Sequence, residues 1–194
     1  MIVSAFTILT VGIWSTPKAQ LPKESPDGSE AVTVYLTLQQ ALEKAFPKAD
    51  TTWSESWVPS PDERNAIQRR LGWRLEEEEF TLYQGRKGDA HLGYAVVGEQ
   101  VGLYKPITFL VKVQADATVE AVWVMVYRES RGGEVQRQRF LRQYKGKDSK
   151  DPIRVNRDII GITGATLSVR ALNAGVKKIL IALVEGYLKE ESGE

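Results

Sequence analysis

The clearest signal in the chain is an alternation of apolar positions between residues 107 and 127. Ile107, Phe109, Val111 and Val113 fall on one side of an extended segment, the period-two repeat of a strand. A second run follows at Val119–Tyr127, with Val122, Val124 and Val126 on one face and Trp123, Met125 and Tyr127 on the other. Both of its faces are apolar, which predicts a strand in the middle of a sheet. Residues 114–118 between them, with Asp116, are short enough for a hairpin connection. Upstream, Phe80–Gln84 alternates as a strand, Gly85–Asp89 reads as a turn, and His91–Val97 resumes as a strand.

The pattern changes to helical spacing elsewhere. Leu38, Ala41, Leu42, Ala45 and Phe46 recur at intervals of three and four, with Thr37 as a cap and Pro47 as a stop. Residues 62–72 predict a second short helix, with Asp62 near its start and Gly72 past its end. Between the two, Trp53 and Trp57 flank a Ser/Glu segment that ends at Pro59 and Pro61. From Leu167 onward, Leu172, Val176, Ile179, Leu180, Leu183 and Tyr187 line one face of a long amphipathic helix, with Arg170, Lys177, Lys178 and Glu185 mostly elsewhere. The expected fold class is α+β: a mainly antiparallel sheet packed against helices, closed by a C-terminal amphipathic helix.

Composition narrows the chemistry. The 194 residues suit one compact domain with short extras, and 42% are hydrophobic, enough for a core. With Lys+Arg at 26 and Asp+Glu at 25, the charge balance gives no reason to expect a nucleic-acid partner. The chain has no cysteine and a single histidine, His91, so disulfides, iron–sulfur clusters, a cysteine nucleophile and a two-histidine metal motif are all excluded. Redox chemistry here would need a bound organic cofactor. The acidic run Glu76–Glu79 lacks a companion cluster and reads as a solvated segment before a strand. His91, alone, reads as structural or exposed.

Ile2–Trp14 carries no charge and has the length of a signal-peptide apolar region. It is shorter than the roughly 20 residues of a comfortable transmembrane helix. Ala19 is an acceptable residue before a cut, although no Lys or Arg precedes the run and Pro17 is poorly placed. The expectation is a signal peptide or short membrane anchor over 1–19, and with it an extracytoplasmic domain in the periplasm or on the outer face of the cytoplasmic membrane. Residues 20–36 read as a linker, 37–84 as an N-terminal helical and strand extension, and 85–190 as the main domain.

Immediately before the last helix stands Ile160-Gly161-Ile162-Thr163-Gly164-Ala165-Thr166-Leu167-Ser168. Small residues entering a helix mouth with hydroxyls can receive a phosphate, because first-turn N–H groups and the helix dipole favour an anion. A plain Thr/Ser helix cap accounts for the same composition. The tetrad Thr163-Gly164-Ala165-Thr166 resembles the flavinylation motif, Ser or Thr followed by Gly-Ala-Thr, of the FMN-binding domain family. That family includes the covalent-FMN subunits of the Rnf complex and of the sodium-pumping NADH:quinone oxidoreductase. Two further blocks resemble it. One is the hairpin leading to Arg128-Glu129-Ser130-Arg131-Gly132-Gly133. The other is Phe140–Lys147, a "Phe, x, x, Gln, aromatic, x, Gly" pattern. The resemblance covers roughly residues 85–188.

What the resemblance implies is an FMN-binding domain over 85–190. Its FMN would be joined through the phosphate to Thr166 by a flavin transferase that draws on FAD. Thr163, Gly164, Ala165 and Ser168 would lie around the phosphate. For the 128–133 loop two readings stand: Glu129, Gly132 and Gly133 line the flavin or its phosphate, or the loop is a strand-to-helix turn. The implied function is electron relay between membrane or periplasmic redox proteins, as a carrier more than as a stand-alone enzyme with its own substrate pocket. Competing readings are a small reductase with non-covalent FMN and a flavin-free partner-docking domain. One position departs from the family pattern: the aspartate usual three residues before the tetrad is Ile160 here, and the nearest acid is Asp158.

Overall fold

The computed structural model describes residues 32–189. The leader expected over 1–19 and the start of the linker lie outside them. The end of that linker is structured: β1 (Thr33–Val34) forms an edge strand, and the N–H groups of Tyr35 and Leu36 donate to the carbonyl of Met125 at 2.8 and 3.2 Å. There follow α1 (Leu38–Ala45), β2 (Thr51–Trp57), α2 (Pro61–Leu71), β3 (Phe80–Lys87), β4 (Ala90–Val101), β5 (Pro106–Val113) and β6 (Val119–Tyr127). The chain then runs through short helical turns that include α3 (Gln138–Leu141), and ends in α4 (Thr166–Ala182) with a π-helical turn at Leu183–Tyr187. All strands pair antiparallel in one sheet, ordered β1-β6-β5-β4-β3-β2. The α+β architecture expected from the pattern is the one observed. Residue 84/85, the boundary drawn between extension and main domain, falls inside β3, so both sides of it share the sheet.

The sheet is covered on both faces. Phe109, Val111 and Val113 point to the face under α2 and α4, where Leu172, Val176, Ile179 and Leu180 meet them. Leu110 and Met125 point the other way, to Ala41, Ala45 and Phe46 of the α1 region. Helix α4 lies unusually close to the sheet: a Cβ on Gly175 would sit 2.3 Å from Phe109 Cζ, and one on Gly98 would sit 2.9 Å from it. Both short helices start with complete capping boxes, Thr37 with Gln40 and Ser60 with Glu63, and Gly72 closes α2 in the left-handed region at φ 80°.

The structure adds one strand and corrects three sequence expectations. The Trp53/Trp57 segment is strand β2, at the far edge of the sheet, paired with β3 from Thr51↔Arg86 to Trp57↔Phe80. The turn expected at Gly85–Asp89 is shorter, because β3 runs on to Lys87 and only Gly88 and Asp89 connect it to Ala90. Strand β6 is not central: it is second from the edge, outside β5 and β4, and its apolar double face comes from cover above and below. Its alternation also slips. Phe109 pairs with Val124 but Thr108 pairs with Val126, so Met125 is an extra residue, and Glu120 is extra in the same way between Val119 and Ala121. Tyr127 therefore joins the face of Val122 and Val124, and Val126 joins that of Trp123.

The exposed acidic run behaves as expected except for Glu77, whose carboxylate pairs with Lys178, a lysine buried under the sheet's rim. His91 is half-buried, with Nε2 3.0 Å from Gln84 Oε1 and its ring 4.7 Å from that of Tyr94.

Candidate functional site

The tetrad forms a turn followed directly by a helix. The N–H of Ala165 donates to the carbonyl of Ile162 at 3.0 Å, and Gly164 sits at φ 83°, the geometry of a type II turn whose third residue must be left-handed. Space around Gly164 is open, so glycine is needed there for its backbone angle and not for close packing. Helix α4 begins at Thr166 with Ala165 as N-cap, and no side chain caps it. The Ser/Thr cap that the composition allowed is absent. Neither Thr163 nor Thr166 bonds the first-turn N–H groups, and Ser168 points elsewhere. An uncapped N-terminus presents free donors and the positive end of a 17-residue helix to whatever lies before it.

The hydroxyls of the motif part company at this point. Thr163 and Thr166 are exposed, whereas Ser168 is buried. Successive helical residues are about 100° apart, so Ser168 lies about 160° around α4 from Thr166. It faces β6, where its Oγ is 2.8 Å from Tyr127 Oη, and Tyr127 in turn donates to the carbonyl of Arg131. Gly132 closes this knot at φ 88°: a Cβ there would fall 2.5 Å from Ser168 Oγ and 2.7 Å from Tyr127 Oη. Gly133 rests beside Tyr127 and Tyr35. Burial, offset in part by the Ser168 bond and reinforced by Glu129 and Glu134, raises the Tyr127 phenol above its ordinary value, so it stays a neutral donor.

Glu129 does a separate job. Its carboxylate accepts from the N–H of Tyr104 at 2.6 Å and of Lys105 at 2.9 Å, tying down the β4–β5 connection. Its burial is slight, and those N–H donors together with Lys105 hold the carboxyl below its usual value. Of the residues singled out from the sequence, then, Thr163, Gly164 and Thr166 are exposed, and Ala165 between them is buried in the core. Ser168 and Gly132 are buried together with the half-buried Gly133 beside them, and Glu129 stands apart. In the 128–133 loop the observed bonds are those of a strand-to-helix turn.

The approach to the tetrad is held by residues whose role the sequence pattern did not disclose. Gln143, from the Phe140–Lys147 block, brackets the backbone of Ile160: its Oε1 accepts from the Ile160 N–H at 2.7 Å and its Nε2 donates to the Ile160 carbonyl at 3.2 Å. Tyr144 beside it is fully buried and donates to Asn173 Oδ1 of α4 at 2.6 Å. Ile160 itself, in the place of the usual aspartate, is 79% exposed. Asp158 does not substitute for that aspartate as a free acid. Its carboxylate accepts from Lys147 Nζ at 2.8 Å, Ile153 N–H at 3.0 Å and Arg154 N–H at 2.8 Å. Partial burial opposes ionisation, but these donors outweigh it and hold the carboxyl below its ordinary value. The segment it ties together has an unusual backbone, with Ile153 at φ 46° and Asn156 at φ 63°.

These residues fit a flavin mononucleotide at one point in particular. A phosphate at Thr166 meets free first-turn N–H groups and the helix dipole, and no acidic side chain precedes it within the exposed turn. Residues 102–181 match the family model of the FMN-binding domain. No curated protein matches the chain. Among solved structures, the chain is similar to the crystal structure of the NqrC component of the Na(+)-translocating NADH-quinone reductase from Parabacteroides distasonis. The two share 14% identity and a TM-score of 0.51 over 77% of this chain and 83% of that one. It is also similar to NqrC of Shewanella oneidensis, at 18% identity and a TM-score of 0.48 over 76% of this chain and 71% of that one. At such identity, the first likeness shows a shared fold.

Proposed function

We propose, from the premise that this chain belongs to the FMN-binding domain family and takes FMN as its cofactor, that it is an electron carrier outside the cytoplasm holding one FMN in ester linkage on Thr166. The observation that carries this reading is the pairing of an exposed Thr166 with an uncapped helix mouth, at the end of the tetrad that the family motif requires. When bound, the isoalloxazine supplies the electron acceptance and release, one or two at a time. The chain's own residues supply position. Gly164 turns the backbone so that Thr166 enters the helix from solvent, Gln143 fixes the segment before it at Ile160, and the first-turn N–H groups would neutralise the phosphate.

Attachment would be a group transfer from FAD. In it the Thr166 hydroxyl would take the FMN phosphoryl group as the FAD pyrophosphate bond broke, with AMP as leaving group and the hydroxyl proton passing to the transferase, and with no change of oxidation state. An exposed N1 hydroxyl is accessible to such an enzyme, and a buried Ser168 is not. The ester would keep the cofactor on a protein working where free FMN is scarce, between membrane or periplasmic redox partners. The apolar run at residues 2–14 and the fold shared with a component of a sodium-translocating quinone reductase support that placement.

A second reading, non-covalent FMN in a small reductase, draws on Ile160: the acid usual there is replaced, and Asp158 is committed to its own turn. Co-expression with a flavin transferase followed by intact-mass measurement separates the two. A covalent FMN adduct that disappears in Thr166→Ala supports the carrier. Full yellow colour that washes away on denaturation, with the unmodified mass, refutes the ester.

A further inference from the structure

We propose that the basic cavity between the end of α2, the 152–156 segment and α4 is a second ligand site, one that takes a phosphate ester with a compact apolar or aromatic body. The inference is separate from the reading of Thr166 and holds whether or not that hydroxyl carries a group.

The cavity holds about 400 Å³, inside the roughly 300–1,000 Å³ of small-molecule pockets and more than a bare ion fills. Helix α4 gives it one stripe, Arg170, Asn173, Ala174 and Lys177, at the three- and four-residue spacing of a single helix face. The opposite walls are the end of α2 with Trp73, and the segment that carries Arg154. That segment has an unusual backbone. Ile153, a β-branched residue, sits at φ 46°, and Asn156 follows at φ 63°. Strain of this kind persists only where the surroundings over-determine it, and ligand clamps are among the places that hold it. Here Asp158 fixes the segment by accepting from the N–H groups of Ile153 and Arg154 at 3.0 and 2.8 Å.

The charges lining this space are not balanced within it. Four cationic side chains contribute, Arg70, Arg154, Arg170 and Lys177, and no Asp or Glu does. Arg70 and Lys177 are drawn together by a shared acceptor, for each donates to the Ser149 carbonyl at 2.9 Å. Partial burial, and then the Arg70 charge, hold the Lys177 ammonium below its ordinary value against the pull of Asp151, Asp148 and Asp158. Glu185 answers one of the four cations, Arg70, and is shared with Lys189. Arg154 and Arg170 are exposed and form no ion pair or side-chain hydrogen bond among the described residues. An anion with several acceptor oxygens is the counterion this set lacks. A phosphate ester carries up to two charges and accepts the forked donors of guanidinium groups, so it satisfies more of the set than a single carboxylate does. The rest of the wall suits the group attached to it: Ile153 and Ile181 are buried and apolar, and Trp73 leaves an indole 43% exposed.

The test uses the full chain as wild type, as the double variant Arg154→Gln/Arg170→Gln, as Ala174→Leu, and as Arg139→Gln on α3 for a charge control, with urea midpoints to show that each is folded. Calorimetric titration with phenyl phosphate should reveal a saturable site in wild type. Loss of the two guanidinium groups should weaken it about 100-fold. Ala174→Leu keeps every charge but fills the space for the ring, and should weaken it about tenfold, while Arg139→Gln should change nothing. Sedimentation with vesicles of phosphatidylglycerol, against vesicles of phosphatidylcholine, identifies the source of the ester. A preference for phosphatidylglycerol that falls in both cavity variants assigns the site to a lipid headgroup, and phenyl phosphate binding without that preference assigns it to a free ester. Binding of neither probe would overturn the site. So would binding that is equal in wild type and the double variant, or that follows charge alone, with Ala174→Leu like wild type. The Thr166 adduct is read separately by intact mass and holds or fails without touching these results.

Discussion

Two hydroxyls, two residues apart, should respond in opposite ways to removal. Thr166→Ala deletes an exposed side chain at the first position of α4, where it makes no capping bond. Alanine is the better helix former by up to about 0.7 kcal/mol, so the apoprotein should be unchanged or slightly more stable. Ser168→Ala deletes a buried hydroxyl bonded to Tyr127 Oη at 2.8 Å. Such a bond contributes about 0.5–1.5 kcal/mol net, and Tyr127 keeps its second bond to the Arg131 carbonyl, which limits the damage. A loss near 1 kcal/mol lowers Tm by about 2–4 °C in a chain of this size. Urea unfolding of the apoproteins measures the stability side. Flavin fluorescence of the denatured gel band measures attachment: Thr166→Ala should be dark and Ser168→Ala should glow. Tyr127→Phe, combined with Ser168→Ala, should show coupling of about 1 kcal/mol in a double-mutant cycle. If Ser168→Ala folds normally and loses its flavin, or if Thr166→Ala is destabilised by more than about 1 kcal/mol, the two hydroxyls do not have these separate roles.

Three other perturbations probe the frame around the site. Gly132→Ala forces a Cβ into the left-handed region and within 2.5 Å of Ser168 Oγ. It should cost roughly 1–3 kcal/mol in backbone strain and break the Tyr127–Ser168 bond, both visible in urea midpoints. Gly175→Ala gains up to about 1 kcal/mol in helix propensity but drives a methyl into Phe109 at 2.3 Å. Overpacking of about 1–3 kcal/mol should win, so calorimetry should show a lower Tm. Asp158→Ala removes a carboxylate whose folded-state value is held down by Lys147 and two backbone donors. A depressed acid stabilises above its unfolded-state value of about 3.9 and loses that contribution as pH falls through the lower folded value. The gap between wild type and Asp158→Ala should therefore be roughly 1.5–3 kcal/mol at neutral pH and shrink below about pH 4; a gap constant down to pH 2 would contradict it.

What was legible in the sequence follows from how local each cause is. Helices α1 and α2 announced themselves through caps and breakers, Thr37, Pro47 and Gly72, whose effects act within one turn. Strand β5 and helix α4 were legible because each buries a continuous apolar row at one period. Strand β2 was not, since at a sheet edge half its positions are polar and its identity as a strand comes from pairing with β3, some 30 residues distant. The slip in β6 was invisible for another reason. An extra residue at Glu120 or Met125 leaves the list of apolar residues unchanged and alters only which face each takes. At the site, the tetrad was legible as a motif. The separation of Ser168 from Thr166 was implicit as well, because helical residues two apart do not share a face. A cavity of about 400 Å³ beside α4 was not legible, for its wall is assembled from Arg70, Arg154 and Arg170, which only the tertiary fold brings together.

The position of Thr166, the proposed attachment point, depends on the core more than on the tetrad. Helix α4 can bring its first turn against β6 only because Gly175 and Gly98 let it settle onto Phe109, a contact that admits no Cβ on either glycine. Tyr144 then fixes the helix from below through Asn173, and Gln143, one residue earlier, fixes the incoming segment at Ile160. Both ends of the Thr163–Thr166 turn are thereby referred to a single short segment, 143–144. A change that loosens this segment should move Thr166 relative to the α4 face without altering a residue of the tetrad. Gln143→Ala is such a change, since among the described residues its side chain bonds only the Ile160 backbone and its loss spares the buried core. Reduced flavin incorporation in Gln143→Ala, with Thr163 to Thr166 intact and urea stability within about 1 kcal/mol of wild type, would show that presentation of the hydroxyl, and not the motif alone, governs loading. Incorporation at the wild-type rate would place all the recognition in the tetrad.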